Sequence, residues 1–526
     1  MAKGYRPVDR DQQFLMPPDM REWIPAGHPV LWVVDVVMEL DTSELHRQCK
    51  TGGVGRQGYD PVMMLTLLIW AWSQGQRSSR QIERLCAQDV IYRYICAGNL
   101  PDHTSIARFR KEMGGAVQSL FSQVLVLCAE LGMVRLGVVA LDGTKIAADA
   151  SIGANRTEKG LLSALEAEMV KQAARAAAEH DRTDQDEDAL FGRDRQPDSV
   201  PDDPGTPSGR QKLLREALDK VRAEQKARED KASKRSLRGR QTDRASAEQV
   251  AKAQARYDKA VADQQAKINR WDRASQDGRP RGFRPWPAEQ CGRVQQAAKV
   301  RDRVVARASR PERTINRQGR AIRPPVCNTT DPESGLQPVR GGGFLQGYNG
   351  QYLTSQDGLI IAASMSANPV DSPTFKQMIT AGTRTAQVLA AHRPDICNVD
   401  DAQIGLVLAD AGYLSEQNLT CPGPDRLIAV GKRRQLEHDA RHDPAEGTLP
   451  DEAGPVAKMA HRLRTPEGIT AYRERGHIAE TPFGDTKHNK KFRRMTGRGL
   501  SRARTDWTFN ALVHNLGKAL RHALAT

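Results

Sequence analysis

The sequence predicts a mixed α/β fold that has an N-terminal all-helical domain and a large helical insertion in its sheet-forming part. Three observations support this prediction. Residues 59–114 show helix-start signals and apolar positions at helical spacing. Short apolar runs of strand type occur in two separate blocks, before residue 142 and after residue 343. Between these blocks, roughly residues 155–325 are dominated by Ala, Arg, Lys, Glu and Gln, as in solvated helices.

The chain is strongly basic. Its 526 residues include 79 Lys and Arg against 64 Asp and Glu, a formal net charge of +15. From Val456 to the end the counts are 15 and 5, so most of the excess lies in this last segment. A basic surface favours an extended anionic partner, and we expect nucleic acid and no membrane. Because the sequence has no signal-peptide pattern and no run of about 18 apolar residues, we expect a cytoplasmic protein.

The N-terminal domain, residues 1–130, is expected to contain several short helices. DPVMMLTLLIWAW follows a Pro start, and SSRQIERLCAQDVIYRYICAG and DHTSIARFRKEM have Ser or Asp at their starts. The last two runs, joined by GNLPD, are similar in outline to a helix-turn-helix. A helical bundle with a solvated basic face explains the same pattern. On the first interpretation, the residues that face DNA phosphates are Arg77, Arg80, Arg108, Arg110 and Lys111.

The sheet-forming blocks contain strands that end in a carboxylate. RLGVVAL ends at Asp142 and IGLVLAD ends at Asp410. Between them, FLQGYNGQYLTS and GLIIAASMS read as paired strands, SPTFKQMITAGTRTAQVLAAH as a helix, and LIAVG afterwards as a further short strand. Strands and helices in this order predict a mixed sheet.

The helical insertion sets the domain boundaries. Its apolar repeats are too sparse to predict a coiled coil, so we expect solvated helices packed loosely as a hairpin over residues 156–324. The sheet-forming core is then discontinuous, with one part at 131–155 and the other at 325–500. Residues 501–526 are expected to form a C-terminal helix.

Strand-end carboxylates suggest a chemistry. Phosphodiester cleavage needs a nucleophilic oxygen, stabilisation of the leaving oxygen and relief of phosphate repulsion, which two Mg²⁺ ions supply together. Such ions take oxygen ligands, so the expected trace is a set of carboxylates gathered from distant strands. Asp142 and Asp410 become neighbours if their strands do, and Glu480 in the basic C-terminal segment is the best third candidate. Asp149, seven residues after Asp142, is the alternative to Asp142 as the first acid.

The densest basic run lies just after Glu480. Residues 487–504 contain eight Lys and Arg and no acid, a pattern expected for contact with the DNA backbone. A solvated basic surface without a partner is the alternative. The members expected to contact phosphate first are Lys487, Lys490, Lys491, Arg493 and Arg494.

Other patterns are assigned no chemistry. Gly53-x-Gly55-x-x-Gly58 matches a dinucleotide-binding fingerprint as text, but polar residues precede it where a strand is required. His438 and His442 are spaced for one helix face, yet no further His or Cys accompanies them, and we expect a mobile surface loop there. Eight scattered cysteines without a C-x-x-C pair argue against a zinc knuckle or a disulfide framework.

Several segments together resemble one family. They are LDGTKIAADASIGANR, TTDPESGLQ with GFLQGYNGQYLT, LADAGYLSEQNL, and HRLRTPEGITAYRERGHIAETPFGDTKHNKKFRRMTGRGL followed by HNLGKALR. These segments are similar to transposases of bacterial insertion sequences of the DDE type, in the branch with a Tyr-Arg-Glu-Lys signature around the last acid. YDPVMMLTLLIWAWSQGQRSSRQIERL and PDHTSIARFRK resemble that family's N-terminal helical domain. The resemblance spans about residues 10–525.

The resemblance implies an RNase H-like catalytic core in which Asp, Asp and Glu bind two divalent cations, Mg²⁺ or Mn²⁺. Matched by position, these acids are Asp142, Asp410 and Glu480. Four residues stand between the signature's Arg and its Glu here, where the usual signature has three, so a neighbouring Arg is a second candidate for that role. The residues at and beside the signature, expected to contact DNA, are Tyr472, Arg473, Arg475 and Lys487.

The function implied by the resemblance is that of a transposase. It would bind the terminal inverted repeats of an insertion sequence, cut the DNA there and join the ends to target DNA. We expect DNA as the partner, a homodimer or higher oligomer when the ends are synapsed, and a nucleoid-associated location. The alternatives are a catalytically inactive DNA-binding or regulatory derivative, and a stand-alone nuclease, which would not need a domain that recognises terminal repeats.

Overall fold

The computed structural model describes residues 19–48, 58–171, 207–234, 241–242, 245, 247–278, 282–309, 314–315, 324–339, 342–392, 403–447, 449 and 452–525. The chain divides into two compact units. Met1–Asn155 and Asn328–Thr526 form the first, called here the sheet unit, and Arg156–Cys327 form the second, called the helical unit. The first two glycines of the Gly53-x-Gly55-x-x-Gly58 pattern lie outside the described residues.

Helices make up most of the described chain. The α-helices are α1 (Pro29–Glu39), α2 (Ser43–Gln48), α3 (Pro61–Ser73), α4 (Ser79–Gln88), α5 (Val90–Ile95), α6 (His103–Glu112), α7 (Val117–Glu130), α8 (158–171), α9 (Pro207–Lys234), α10 (Ala247–Gln276), α11 (Gly292–Ala308), α12 (Phe375–His392), α13 (Glu416–Thr420), α14 (Arg433–His442), α15 (Pro455–Arg462), α16 (Pro466–Gly484) and α17 (Leu500–Ala525).

The strands are short outside the central pair. They are β1 (Val138–Ala147), β2 (Asn155–Arg156), β3 (Gln241–Thr242), β4 (Thr314–Ile315), β5 (Cys327–Asn328), β6 (Gly335–Pro338), β7 (Phe344–Ser355), β8 (Ile360–Ser366), β9 (Leu406–Ala409) and β10 (Asp425–Ile428).

Helix α3 lies at the centre of the N-terminal helices. The Asp60 side chain caps it by accepting a hydrogen bond from the Met63 N–H at 2.8 Å, and a proline at the first turn favours this start. Because α3 is apolar on all sides, it is buried on all sides. Trp70 and Trp72 are 7 % and 0 % exposed, so both rings lie in the core.

The run predicted as one helix after Ser78 is two helices, α4 and α5. Asp89 separates them in an extended conformation, and its carboxylate accepts hydrogen bonds from the N–H groups of Ile91 and Tyr92. An Asp in this position satisfies the free N–H groups of a new helix start, so it ends α4 and begins α5.

The main sheet is mixed and has six strands. Its order is β10-β9-β1-β7-β6, and β8 also pairs with β7. The long pair β1–β7 is antiparallel, whereas β9 is parallel to both β1 and β10. The paired strands β7 and β8, the helix α12 and the strands β9 and β10 all follow the predicted order, and this confirms an α/β fold.

Strand β1 is longer than the sequence predicts. It continues from Val138 to Ala147, so Asp142 lies inside the strand and not at its tip. The reason is β7, a twelve-residue strand that pairs with β1 along its whole second half. The parallel pairing with β9, by contrast, stops at Leu141 opposite Ala409.

Helix α17 lies in the core of the sheet unit and packs against α7 and β8. Tyr352 of β7 stacks on Trp507 of α17 with ring centres 4.2 Å apart. Trp72 of α3 meets Phe509 of α17 edge-on, with ring centres 5.0 Å apart. The N-terminal helices, the sheet and the C-terminal helix therefore share one apolar core.

The helical unit contains the long helices α9, α10 and α11. Helices α10 and α11 pack against each other, and the Arg301 guanidinium of α11 lies 4.3 Å from the ring centre of Tyr257 in α10. The segment between them folds back on α10, where the Gln264 amide donates to the Trp286 carbonyl at 2.7 Å.

Within the described ranges, no single helix is long and apolar enough to cross a membrane. Helices α6 and α7 pass the test of length and composition only as a pair, and they are bent by 80° relative to each other.

Candidate active site

Asp142 and Asp410 lie side by side at one edge of the sheet. Strands β1 and β9 are parallel neighbours, and their last paired residues are Leu141 and Ala409. Asp142 and Asp410 are the next residue on each side. Neighbouring strands are about 4.8 Å apart, so residues in this register are close together. The carboxylate of Asp142 accepts a hydrogen bond from the Gly143 N–H at 2.7 Å, and that of Asp410 accepts one from the Gly412 N–H at 2.9 Å. The structure thus brings together two of the three predicted acids.

The two carboxyl groups are poorly solvated. Burial raises the pKa of Asp142, and the nearby positive charge of Arg475 opposes this shift. Burial also raises the pKa of Asp410, against the lowering effect of the hydrogen bond from Gly412. The charge of Asp410 raises the pKa of Asp142 further. Two neighbouring carboxylates that are costly to ionise favour a cation between or beside them.

Arg475 supplies a cation in this structure. It lies on α16, and its Nη1 is 3.1 Å from Oδ2 of Asp142. Tyr472, one turn earlier, is buried, and its hydroxyl donates to the Ala409 carbonyl at 3.3 Å. The Tyr472 contact attaches α16 to the end of β9. Two members of the predicted signature therefore pack against the paired acids, while Arg473 lies on the exposed side of α16.

Glu480 lies apart from this pair. It is exposed on α16, five residues beyond Arg475, which corresponds to about 7.5 Å along a helix and a different face. In the described part of the chain, Glu480 does not join Asp142 and Asp410 in a group of three carboxylates close enough to hold a metal ion.

The segment from Glu480 to Lys487 is not one regular helix. Helix α16 contains Pro482 and ends at Gly484, and residues Asp485–Asn489 form a wider π-helical turn. A proline removes one backbone donor, and a π turn shifts the faces of everything after it. Lys487 is therefore not two regular turns beyond the acid.

A third carboxylate, which the sequence reasoning missed, lies beside Asp410. Asp371 stands in the loop before α12, and its Oδ1 accepts hydrogen bonds from Asn349 Nδ2 at 2.6 Å and Gln351 Nε2 at 2.9 Å. Lys145 Nζ adds a contact at 3.3 Å. The loop sequence has no strand before the acid, so the pattern that identified Asp142 and Asp410 does not apply to Asp371.

Two glycines allow these acids to approach closely. A Cβ on Gly412 would stand 2.9 Å from Oδ1 of Asp410 and 3.0 Å from Oδ2 of Asp371. A Cβ on Gly143 would stand 2.5 Å from the Gln351 amide nitrogen and 3.0 Å from Oδ1 of Asp371. Either side chain would displace the carboxylates, so the glycines keep the space around them open.

The donor chemistry fits a divalent cation. Carboxylate oxygens of Asp142 and Asp410 are hard ligands of the kind that Mg²⁺ and Mn²⁺ prefer, and no side chain at position 412 covers the Asp410 carboxylate. In the part of the chain that the structure describes, no group of three or more His, Cys, Asp or Glu side chains is close enough to hold a metal ion. The structure thus shows a pair of candidate ligands and not a complete site.

The basic run divides into exposed and buried members. Lys491, Arg493, Arg494 and Arg498 are exposed. Lys490 is only 4 % exposed, and its Nζ donates to Asp485 Oδ2 at 2.6 Å. Burial lowers the pKa of Lys490 to about 8, against the effect of that carboxylate. This corrects the prediction that Lys490 contacts DNA, because its ammonium group is inside the protein.

Arg77 is a second correction. It is 8 % exposed, and its guanidinium donates to the Arg494 carbonyl at 2.8 Å while lying 3.6 Å from the ring centre of Phe492. Burial lowers its pKa to about 9. The Arg77 side chain therefore stabilises the backbone of the basic run from the protein interior and does not face phosphate. Arg110 is a third correction, because its guanidinium is buried and lies 2.7 Å from Oδ2 of Asp506. Arg80, Arg108 and Lys111, the other predicted contacts of this domain, are exposed.

Other residues that the sequence analysis considered lie in ion pairs, on a helix face or in the core. Asp149, the alternative acid, is 3.4 Å from Nε of Arg498 in a partly exposed ion pair. His438 and His442 lie on helix α14 with ring centres 4.2 Å apart, which corrects the expected surface loop. Their spacing of four residues stacks the rings on one helix face. Cys86, Cys96, Cys128 and Cys327 are buried thiols, and buried thiols pack as small apolar residues.

Two segments of the chain match known protein families. Residues 18–112 match a model described as Transposase domain (DUF772), and residues 440–520 match one described as Transposase DDE domain. The second segment contains Glu480 and the residues Tyr472 and Arg475, whereas Asp142 and Asp410 lie outside both segments. No curated protein and no solved structure matches the chain.

Proposed function

We propose that this chain, two segments of which match transposase domains, is a DDE-type transposase that cuts DNA at the terminal inverted repeats of an insertion sequence and joins the ends to target DNA. The observation that carries the proposal is the placement of Asp142 and Asp410 in register on neighbouring parallel strands. They come from distant parts of the sequence, and a pair of desolvated carboxylates at a strand edge suits binding of divalent cations.

Asp142, Asp410 and Glu480 would hold two divalent cations, Mg²⁺ or Mn²⁺. When bound, such ions lower the pKa of an attacking water and stabilise the leaving oxygen of a phosphodiester. Asp142 and Asp410 are positioned by their strands, and the absence of a side chain at Gly412 avoids a clash with the Asp410 carboxylate. Glu480 is on the same helix as Arg475, which contacts Asp142, so α16 is the element that would deliver the third acid.

Arg475 balances the charge of the site while no cation is bound. Its contact with Asp142 offsets part of the cost of ionising that buried carboxyl group. Arg475 also keeps α16 against the strand edge, together with the Tyr472 hydroxyl on the Ala409 carbonyl. We propose that Arg475 turns to a DNA phosphate when the acids take up cations, since a guanidinium binds phosphate as well as carboxylate.

The exposed members of the basic run would hold the DNA backbone. Lys491, Arg493 and Arg494 follow α16 directly, and their side chains are exposed beyond the π-helical turn. Lys and Arg that neutralise phosphates bind DNA of any sequence and position it at the acids. A mixed sheet with one long antiparallel pair and two parallel strands also supports the proposal of an RNase H-like core. Two copies of the chain would bring the two ends of the element together.

The test is strand nicking of a labelled terminal-repeat duplex in Mg²⁺ by the wild-type protein and three variants, Asp142→Asn, Asp410→Asn and Glu480→Gln. Each change removes the charge of a proposed ligand but keeps its shape, so we expect loss of cleavage with DNA binding retained in a gel-shift assay. Asp149→Asn is the matched control, because that carboxylate pairs with Arg498 on the surface. Cleavage at the wild-type rate by any of the three would remove that residue from the site. Absence of nicking by the wild-type protein would favour the inactive DNA-binding derivative.

A further inference from the structure

We propose that Asp371 is a positioning residue that sets the orientation of Asp410. The inference rests on the proposed function and adds a residue that acts on the site from behind the sheet. Asp371 has no place in the predicted acidic set. Its side chain is 23 % exposed and stands in the loop between β8 and α12.

Asp371 faces the opposite side of the sheet from Asp142. Its Oδ1 lies above Gly143, where a Cβ would stand 3.0 Å away, and its hydrogen-bond partners Gln351 and Asn349 are the register partners of Gly143 and Lys145. Side chains alternate between the two faces of a strand, so Asp142 points to the other face. Asp371 is therefore placed to support the site rather than to share the position of Asp142.

A chain of hydrogen bonds connects Asp371 to the turn that carries Asp410. The Gln351 amide donates from Nε2 to Asp371 and accepts at Oε1 from the Tyr413 hydroxyl. Gln351 and Tyr413 are both fully buried. Burial raises the pKa of Tyr413 well above its ordinary value, so its hydroxyl remains a donor. Asp371 thus fixes which end of the Gln351 amide faces the tyrosine.

Tyr413 ends the short 3₁₀ turn Ala411–Tyr413, and Asp410 is the residue that begins it. The Asp410 carboxylate caps this turn by accepting from the Gly412 N–H, and Oδ2 of Asp371 lies across the same glycine. If Gln351 lost its orientation, the Tyr413 hydroxyl would lose its acceptor and the turn would lose a buried anchor. The carboxylate of Asp410 would then be held less tightly.

Two other donors hold Oδ1 of Asp371 in place. Asn349 Nδ2 is 2.6 Å away, and Lys145 Nζ, 3.3 Å away, also donates to the Pro369 carbonyl at 2.9 Å. The Asp371 backbone carbonyl accepts from the Thr374 hydroxyl at 2.6 Å, which ties the loop to its own turn. An acid held in this way resembles the outer-shell partners that orient ligands of metal sites.

The experiment compares the wild-type protein with Asp371→Ala and Asp371→Asn. An asparagine oxygen accepts the same donors as Oδ1, so it preserves the connection to Gln351, whereas alanine breaks it. Isothermal titration with Mn²⁺ measures the affinity of the metal-free protein, and nicking of the terminal-repeat duplex is measured over a range of Mg²⁺ concentrations. We expect Asp371→Ala to weaken Mn²⁺ binding and to raise the half-saturating Mg²⁺ concentration about 10- to 100-fold, while Asp371→Asn stays close to the wild type.

A double variant tests whether Asp371 acts through Gln351. Gln351→Ala should behave like Asp371→Ala, and the two together should be no worse than either alone, because residues on one path are not additive. Asp425→Ala is the matched control. The Asp425 carboxylate pairs with Arg462 at the start of β10, whereas Asp410 lies near the other end of that strand. If Asp371→Ala does not fold, Tyr413→Phe removes only the hydroxyl and should still weaken Mn²⁺ binding.

Wild-type behaviour of Asp371→Ala, or of Tyr413→Phe where that variant is needed, would overturn the inference. Equal loss in Asp371→Asn and Asp371→Ala would also overturn it, because Asp371 would then be a ligand itself. The Mn²⁺ titration decides the matter even if the wild-type protein fails to nick DNA, a result that counts against the proposed function alone.

Discussion

Replacement of Arg110 by Met should destabilise the protein by about 3–5 kcal/mol, the usual cost of leaving a buried charge without its partner. Arg110 is 3 % exposed and Asp506 is fully buried. Two hydrogen bonds join them, Nε to Oδ1 at 3.1 Å and Nη2 to Oδ2 at 2.7 Å. Arg110 also donates to the Arg77 carbonyl at 3.1 Å, and its guanidinium lies 4.6 Å from the ring centre of Trp72.

Methionine keeps much of the buried volume of Arg110, so the loss comes mainly from the stranded carboxylate. Arg502 offsets part of this destabilisation, because its Nε is 3.4 Å from Oδ1 of Asp506. That contact is longer than the two hydrogen bonds from Arg110, and it is only one. The assay is urea unfolding followed by tryptophan fluorescence. Arg108→Ala is the matched control, an exposed basic residue on the same helix, for which we expect a change within about 0.5 kcal/mol. A cost of Arg110→Met below about 1 kcal/mol would refute the reasoning about the buried pair.

Two further changes separate buried from exposed charges. Replacing Lys491, Arg493 and Arg494 by Ala should lower the slope of log K for DNA against log salt by about 0.9 for each phosphate contact that is lost, and so by about 2.7 if all three residues contact phosphate. Lys490→Met should lower stability and leave this slope unchanged, and an equal slope for both variants would contradict the assignment. Asp410→Asn should raise the melting temperature at pH 7 in EDTA, because burial raises the carboxyl pKa in the fold and the stability of the neutral form is lost as pH rises through that value. The difference should vanish below the ordinary carboxyl value of 3.8, and a lower melting temperature for the variant at pH 7 would show that ionised Asp410 stabilises the metal-free protein.

The paired acids could be predicted from the sequence because each follows an apolar run of strand type. Asp142 and Asp410 needed only one assumption, that their strands are neighbours, and β1 and β9 satisfy it. Asp371 could not be found this way. Its partners Asn349 and Gln351 are polar residues inside β7 that are fully buried, and nothing local in the sequence distinguishes them from solvent-facing residues.

The buried cations were the least predictable part. Arg77, Arg110 and Lys490 look like a solvated basic face because they stand among other basic residues. Their partners are Asp506, Asp485 and two backbone carbonyls, and the partners of the two arginines lie about 400 positions away along the chain. A charge is buried only when such a partner exists, and long-range partners leave no trace in the local pattern.

Arg77 donates hydrogen bonds to the carbonyls of Lys491 and Arg494, and such contacts limit which segments of this protein can be exchanged with those of a relative. The two segments that match family models, residues 18–112 and 440–520, meet at this contact and at the Arg110–Asp506 pair. A chimera whose new segment lacks the arginine or the aspartate of this pair would leave the other charge buried without its partner. An exchange of either segment must therefore keep both members of the Arg110–Asp506 pair.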